Sequence, residues 1–286
     1  MQKPNSQISV QALEWHLAEG VDEFILDEPQ SRLKQMRQQH ASQLHDTSSE
    51  AASKEPVSHT AHEAGSHDSG TELIGAVEAK RQAVEIVQNI HSLDELKEAI
   101  QNFEGLDIKK TATNLVFADG NPDAKVMLVG EAPGADEDRQ GKPFMGVTGK
   151  LLDQILGCVG LSRDADDVDN MVYLTNMLNW RPPGNRSPTP QEMDISRPFI
   201  EKHIQLVQPE ILMICGGGAA KILLSSSDSI SKLRGKWQEY TPQNIDDKNT
   251  INAMVTYHPA NLIETPAQKE KVWSDMLLLK RKRLDL

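Results

Sequence analysis

Cysteine is scarce in this chain. Two of its 286 residues are cysteine, Cys158 and Cys215, and both have apolar sequence neighbours, which favours buried reduced thiols over a disulfide or a thiolate metal site. There is no apolar stretch of signal-peptide length at the start and no run approaching a membrane span, so a cytoplasmic protein is expected. A Gly-x-x-x-x-Gly-Lys-Ser/Thr loop and a Gly-x-Gly-x-x-Gly turn are also missing, which removes the common phosphate-loop and dinucleotide signatures. The sequence contains no internal repeat.

Large apolar side chains are nearly absent from residues 38–71, which are rich in Ser, His, Ala and Glu. Such a segment buries too little surface to offset its ordering entropy and reads as a disordered linker. Ahead of it, residues 1–37 carry Leu13, Trp15, Leu17, Val21, Phe24, Ile25 and Leu26, enough for one short amphipathic helix that would be marginal alone. Two readings are open for that helix: it packs back on the main domain, or it docks on a partner protein. Residues 72–110 read as a helical lead-in with helices at 72–91 and 92–103, the second opened by Ser92 as N-cap with Glu95 three residues on.

The net charge of −12 would argue against a nucleic-acid partner, but its distribution weakens that argument. Residues 1–110 hold ten basic against nineteen acidic side chains, whereas residues 111–286 hold twenty against twenty-three. The main domain can therefore present a basic face. Arg181, Arg186, Lys232, Arg234, Lys236 and the run at 280–283 are its candidates.

From residue 115 onward, strand-like and helix-like runs alternate, which implies a parallel sheet covered by helices on both faces. The strand runs are Val-Met-Leu-Val-Gly at 126–130, Val-Tyr-Leu-Thr-Asn at 172–176, Ile-Leu-Met-Ile-Cys-Gly at 211–216 and Ala-Met-Val-Thr-Tyr-His-Pro at 253–259. Continuous apolar runs mark buried parallel strands, and ligands in open α/β sheets sit where such strands end. Glu131, Asn176 and His258 stand at three of those ends. An amide both donates and accepts, so it suits a base edge, and a histidine before proline is held extended. Pro143-Phe144 sets a ring on a rigid support, and Leu262 and Ile263, read as exposed, form either a wedge for a base stack or a helix-packing pair.

Taken together, Gly130-Glu131-Ala132-Pro133-Gly134, Gly141-Lys142-Pro143-Phe144, Thr175-Asn176, Arg181-Pro182-Pro183-Gly184-Asn185-Arg186, Leu233-Arg234-Gly235 and Tyr257-His258-Pro259-Ala260 resemble the family 4 uracil-DNA glycosylases in order and spacing, over residues 111–279. The resemblance implies a three-layer α/β/α sandwich around a four-stranded parallel sheet, with residues 111–286 as the catalytic domain. It further implies a monomeric enzyme that flips deoxyuridine out of single- or double-stranded DNA and hydrolyses the N-glycosidic bond, leaving an abasic site. Under it, Glu131 positions the attacking water and offsets charge on the sugar, while His258 stabilises charge on the departing uracil. Phe144 stacks on the base, Asn176 reads its Watson–Crick edge, Ala132 borders it, and Glu137 and Asn185 support the loops. Arg181, Arg186, Arg234, Lys236 and Leu262 fall to DNA contact.

One departure is large. Many members of the family hold a 4Fe–4S cluster on four cysteines, and the matching positions here are Phe103, Leu106, Trp180 and Ser196. Such clusters need thiolate ligands, so no cluster is expected and no other metal is required. Phe103, Leu106 and Trp180 are expected to plug the space. The long basic insertion of the covalently trapping relatives is also missing, so permanent capture of DNA is not expected. A non-catalytic or weakly catalytic uracil-DNA binding or adaptor protein is the rival reading, and an enzyme acting on free nucleosides is a weaker one.

Overall fold

The computed structural model describes residues 69–246 and 249–284. The expected helix within residues 1–37, and residues 38–68 of the expected linker, lie outside the described residues. In chain order the elements are helices α1 (Ser69–Gln88) and α2 (Leu93–Asn102), strands β1 (Ala118–Gly120) and β2 (Val126–Gly130), helices α3 (Ala135–Gln140) and α4 (Gly146–Gly157), strand β3 (Val172–Asn176), helix α5 (Pro190–Val207), strand β4 (Ile211–Cys215), helices α6 (Gly217–Leu223) and α7 (Ile230–Leu233), strands β5 (Trp237–Tyr240) and β6 (Ile251–Thr256), and helices α8 (Pro259–Glu264) and α9 (Lys269–Leu284).

The sheet has the order β1-β3-β2-β4-β6-β5. Its four inner strands are parallel, with Gly130 opposite Asn176 and Cys215 opposite Thr256 at their carboxyl ends. The expected four-stranded parallel sheet is thus the centre of a six-stranded one, because β1 and β5 add antiparallel edges. Neither edge carries a long apolar run: β1 is Ala-Asp-Gly and none of its residues is fully buried, and only Tyr240 of β5 is. The period-2 alternation of a strand sorts the core into two layers. Met127, Val129, Tyr173, Leu212, Ile214 and Val255 face one layer with α1, α2, α5 and α6. Val126, Leu128, Val172, Leu174, Met213 and Met254 face the other, with α4, α8 and α9.

Local signals set the helix ends. Ser92 Oγ accepts the N–H of Glu95, and Thr189 with Glu192 forms a capping box ahead of Pro190. Helix α1 starts three residues inside the stretch read as linker. It packs on α5 through Ala79, Ala83 and Val87, spaced four apart on one face, and Lys80 pairs with Asp194 of α5 at 2.8 Å. Cys215 is buried as expected, but Cys158, the C-cap of α4, is exposed, while the side chains of Leu156 and Val159 on either side of it take the buried positions. No described helix is long and apolar enough to cross a membrane.

Candidate active site

The carboxyl ends of β3, β2, β4 and β6 lie side by side in the sheet and deliver, in that order, Asn176, Glu131, Gly216 and His258. Backbone bonds from Met177 N to Gly130 O (2.9 Å) and from Leu178 N to Glu131 O (3.1 Å) continue the β2–β3 pairing through Glu131.

Two glycines show how closely the side chains converge. A methyl group built on Gly130 would fall 2.2 Å from Asn176 Oδ1 and 2.6 Å from Phe144 Cζ. The amide and the ring therefore meet over a backbone with no side chain. On Gly216, whose φ is +110°, the same group would fall 2.9 Å from Glu131 Oε2 and 3.9 Å from His258 Cβ. Phe144 closes the ring of contacts, with its centroid 5.6 Å from that of His258 in a stacked arrangement. Phe144 and Asn176 are both buried, and the Asn176 amide makes no side-chain hydrogen bond among the described residues.

Burial pushes the Glu131 carboxyl above its ordinary range, opposed by a hydrogen bond from the N–H of Gly218. That contact is tight, because a methyl on Gly218 would sit 2.0 Å from Glu131 Oε1. Burial lowers His258 to about 4, so the imidazole is neutral at physiological pH. Its Nδ1 accepts the N–H of Ala260 at 3.3 Å, which leaves the proton of the neutral ring on Nε2 as a donor. The site thus presents a carboxylate, a neutral N–H donor, an aromatic face and an open amide.

The supporting residues fall around this centre. Glu137 accepts the N–H of Gly134 at 3.1 Å and that of Met145 at 3.3 Å, so it ties the turn after Glu131 to the loop that carries Phe144. Ala132 is half-buried against the core. Asn185 Oδ1 accepts Arg181 Nε at 2.6 Å, and Arg181 also reaches the buried Asp138 at 3.7 Å.

Several expected DNA contacts are differently placed. Leu262, expected to be exposed, is buried within the layer of α4, α8 and α9; its neighbour Ile263 is the exposed one, because the turn of α8 points Leu262 inward. Arg234 is turned inward onto Asp275, at 3.1 and 2.5 Å, and lies over the Tyr257 ring. Arg186 makes a two-pronged pair with Glu192 at 2.9 and 2.5 Å. Lys236 is exposed.

Three features escaped the sequence reading. The Gly-Gly-Gly run at 216–218 directly after a buried strand was a readable sign that backbone must approach a ligand or side chain. Gly149 leaves room for the Phe144 carbonyl, which a methyl there would meet at 1.9 Å. Phe144 itself has a φ of +53°, a left-handed conformation that costs a bulky residue about 1–3 kcal/mol and persists only where surrounding contacts enforce it.

The positions matching the family's four cysteines are all buried, and Phe103, Leu106 and Trp180 belong to one core cluster. Phe103 packs edge-on against Phe199 at 5.0 Å. The Ser196 hydroxyl is buried with no hydrogen-bond partner among the described residues. Two rings, an aliphatic chain and a hydroxyl supply no thiolate, so these residues do not fit an iron–sulfur cluster. Among the described residues no group of three or more His, Cys, Asp or Glu is arranged to hold a metal.

Residues 117–277 match the family model described as the uracil DNA glycosylase superfamily. The chain is 35% identical to the type-4 uracil-DNA glycosylase of Archaeoglobus fulgidus, over 65% of this chain and 90% of that protein. It is 34% identical to the type-4 enzyme of Sulfurisphaera tokodaii, over 61% of this chain and 77% of that one. With that of Pyrobaculum aerophilum it shares 30% identity, over 65% and 92%.

Proposed function

The chain belongs to the uracil DNA glycosylase superfamily and is similar to its type-4 members, which makes it a DNA N-glycosylase, and we propose that it excises uracil from DNA with Glu131 and His258 as its catalytic residues. The observation that supports this reading best is the meeting of Glu131, His258, Phe144 and Asn176 around Gly130 and Gly216 at four adjacent strand ends.

Extruding a deoxyuridine costs a few kcal/mol, least at a mismatch or in a single strand. The base then lies on the Phe144 ring with its N3–H and O4 edge toward the Asn176 amide, which accepts from the first and donates to the second. As the bond between C1′ and N1 breaks, positive charge grows on the sugar and negative charge on the uracil. The Glu131 carboxylate faces the first charge and orients the water that adds to C1′. The Nε2–H of His258 donates to the uracil oxygen that takes up the second, and a fixed neutral donor in a buried site does so with little reorganisation. The water's oxygen ends on C1′, and its proton balances the departing uracil anion.

For the DNA surface we assign exposed Ile263, in place of Leu262, to the gap left by the flipped nucleotide, with Lys236 and the partly exposed Arg181 nearest to phosphate contact. Arg186 and Arg234 act through their ion pairs on the loops that hold the site. No step requires an iron–sulfur cluster.

The test is release of uracil from a labelled U·G oligonucleotide, read as alkali-labile nicking. Wild type should cleave. His258→Ala should lose about 10²- to 10³-fold in rate, the scale of a removed charge-stabilising donor, with substrate binding held within a few-fold. Glu131→Gln should fall by at least as much. Binding without cleavage in all three proteins would establish the adaptor reading instead.

A further inference from the structure

We propose that Arg163 is a positioning residue that sets the stacking ring Phe144; the inference rests on the glycosylase reading above. Arg163 lies between α4 and β3 and is almost fully buried, with a side-chain exposure of 8%. Its guanidinium is clamped between two carboxylates. Nη1 binds Asp119 of β1 at 2.9 Å, and Nε binds Asp153 of α4 at 2.9 Å. Its remaining reach goes to the backbone that carries the ring, with Nη1 donating to Pro143 O at 3.1 Å and Nη2 to Phe144 O at 3.0 Å.

Those two carbonyls flank the left-handed residue. The Phe144 carbonyl is gripped by Arg163 on one side and pressed against Gly149 of α4 on the other. A carbonyl fixed from both sides fixes the peptide plane, and the peptide plane fixes where the ring projects. Asp119 takes part in the same arrangement: Lys142 at 3.0 Å and Arg163 hold its carboxyl below the ordinary range despite its burial. The edge strand β1 therefore serves the site through Asp119, Arg163 and two carbonyls, although among the described residues it makes no hydrogen bond or ion pair to Glu131 or His258.

A guanidinium carries five donors in a planar fork, whereas an ammonium is a single point of charge. Lysine at 163 would keep the charge and lose the simultaneous grip on two carboxylates and two carbonyls. The experiment is a double-mutant cycle on Arg163→Lys and Phe144→Ala, read on binding of a uracil-containing oligonucleotide, on inhibition by free uracil and on single-turnover release. Base–aromatic stacking is worth about 10- to 100-fold. Phe144→Ala should lose about that much in both affinities, and Arg163→Lys about 5- to 10-fold, a fraction of the same stacking energy. The double variant should then bind no more weakly than Phe144→Ala alone, because Arg163 acts through a ring no longer present.

Losses that add in the double variant would overturn the proposal, as would an Arg163→Lys protein with unchanged uracil affinity. Melting temperature is followed throughout, and Arg163→Gln, which keeps a single amide NH2 and loses the charge, replaces the lysine variant if that fails to fold. Because binding needs no turnover, the cycle stays readable even if wild type releases no uracil, which would count against the glycosylase reading alone.

Discussion

Glu131 and His258 have their protonation pushed in opposite senses by the same cause, loss of water. Burial disfavours the charged form of each, so the carboxyl rises and the imidazole falls to about 4. The catalytic state needs Glu131 ionised and His258 neutral. Lowering the pH therefore first protonates Glu131, and His258 follows only near pH 4. We predict that the acid limb of the rate profile is governed by Glu131 and sits above the pKa of an ordinary glutamate. It should persist in His258→Ala at a lower overall rate and flatten in Glu131→Gln, as single-turnover rates across pH 4 to 8 would show. The stability linkage has a definite sign. A carboxyl whose folded pKa is raised favours the native state at low pH, and that contribution is lost as pH rises through the folded value. At neutral pH, Glu131→Gln should therefore be more stable than wild type in urea while less active. These residues were legible because each ends an apolar run with an abrupt polar group. Arg163 was not, since a lone arginine in a polar loop gives no sign that folding will bury it between Asp119 and Asp153.

At the scale of elements, the inner strands were readable because each is a five- or six-residue run, largely apolar and buried for most of its length. The edge strands β1 and β5 were not, because short strands half open to water carry polar residues like those of loops. Helix α6 illustrates a contact between elements that composition hides. Its first turn consists of Gly217 and Gly218 before Ala219, and the Gly218 N–H holds the carboxylate delivered by β2. Alanine ordinarily improves a helix relative to glycine, by about 1 kcal/mol in an interior position. Here a methyl would collide with Glu131 Oε1. Gly218→Ala should therefore reduce single-turnover cleavage at least tenfold while its circular dichroism stays that of the wild type. An unchanged rate would show that Glu131 works without this contact.

For the whole molecule, the sheet with its two helical layers holds the site from both faces, and the first layer contains Phe103, Leu106 and Trp180, three of the four positions that the family resemblance matches to cysteines. Trp180 lies there, buried, immediately before the Arg-Pro-Pro-Gly loop. Truncating a buried tryptophan costs about 3–5 kcal/mol, so Trp180→Ala should lower the urea midpoint markedly. Protein supplied with iron and sulfide without oxygen should take up no stoichiometric iron, read by metal analysis. Stoichiometric uptake with a visible charge-transfer band would refute the plug. The fold class was legible in the alternation of runs, and the lack of thiolates at the four matched positions in the residue identities at 103, 106, 180 and 196, whereas the layer formed by α1 on α5 depended on an alanine-rich face whose partner only the tertiary structure reveals.

The two thiols of this chain differ as much as two thiols can. Cys158 stands in water at the end of α4, while Cys215 sits at the end of the buried strand β4 with its thiol pushed up to about 12 by burial and the nearby Asp275. A maleimide should therefore add once to the native protein and twice to an unfolded one. Intact mass then counts openings of the sheet molecule by molecule. A fluorophore on Cys158, one helix length from the Phe144 loop, marks the enzyme for single-molecule scanning of DNA without any engineered residue.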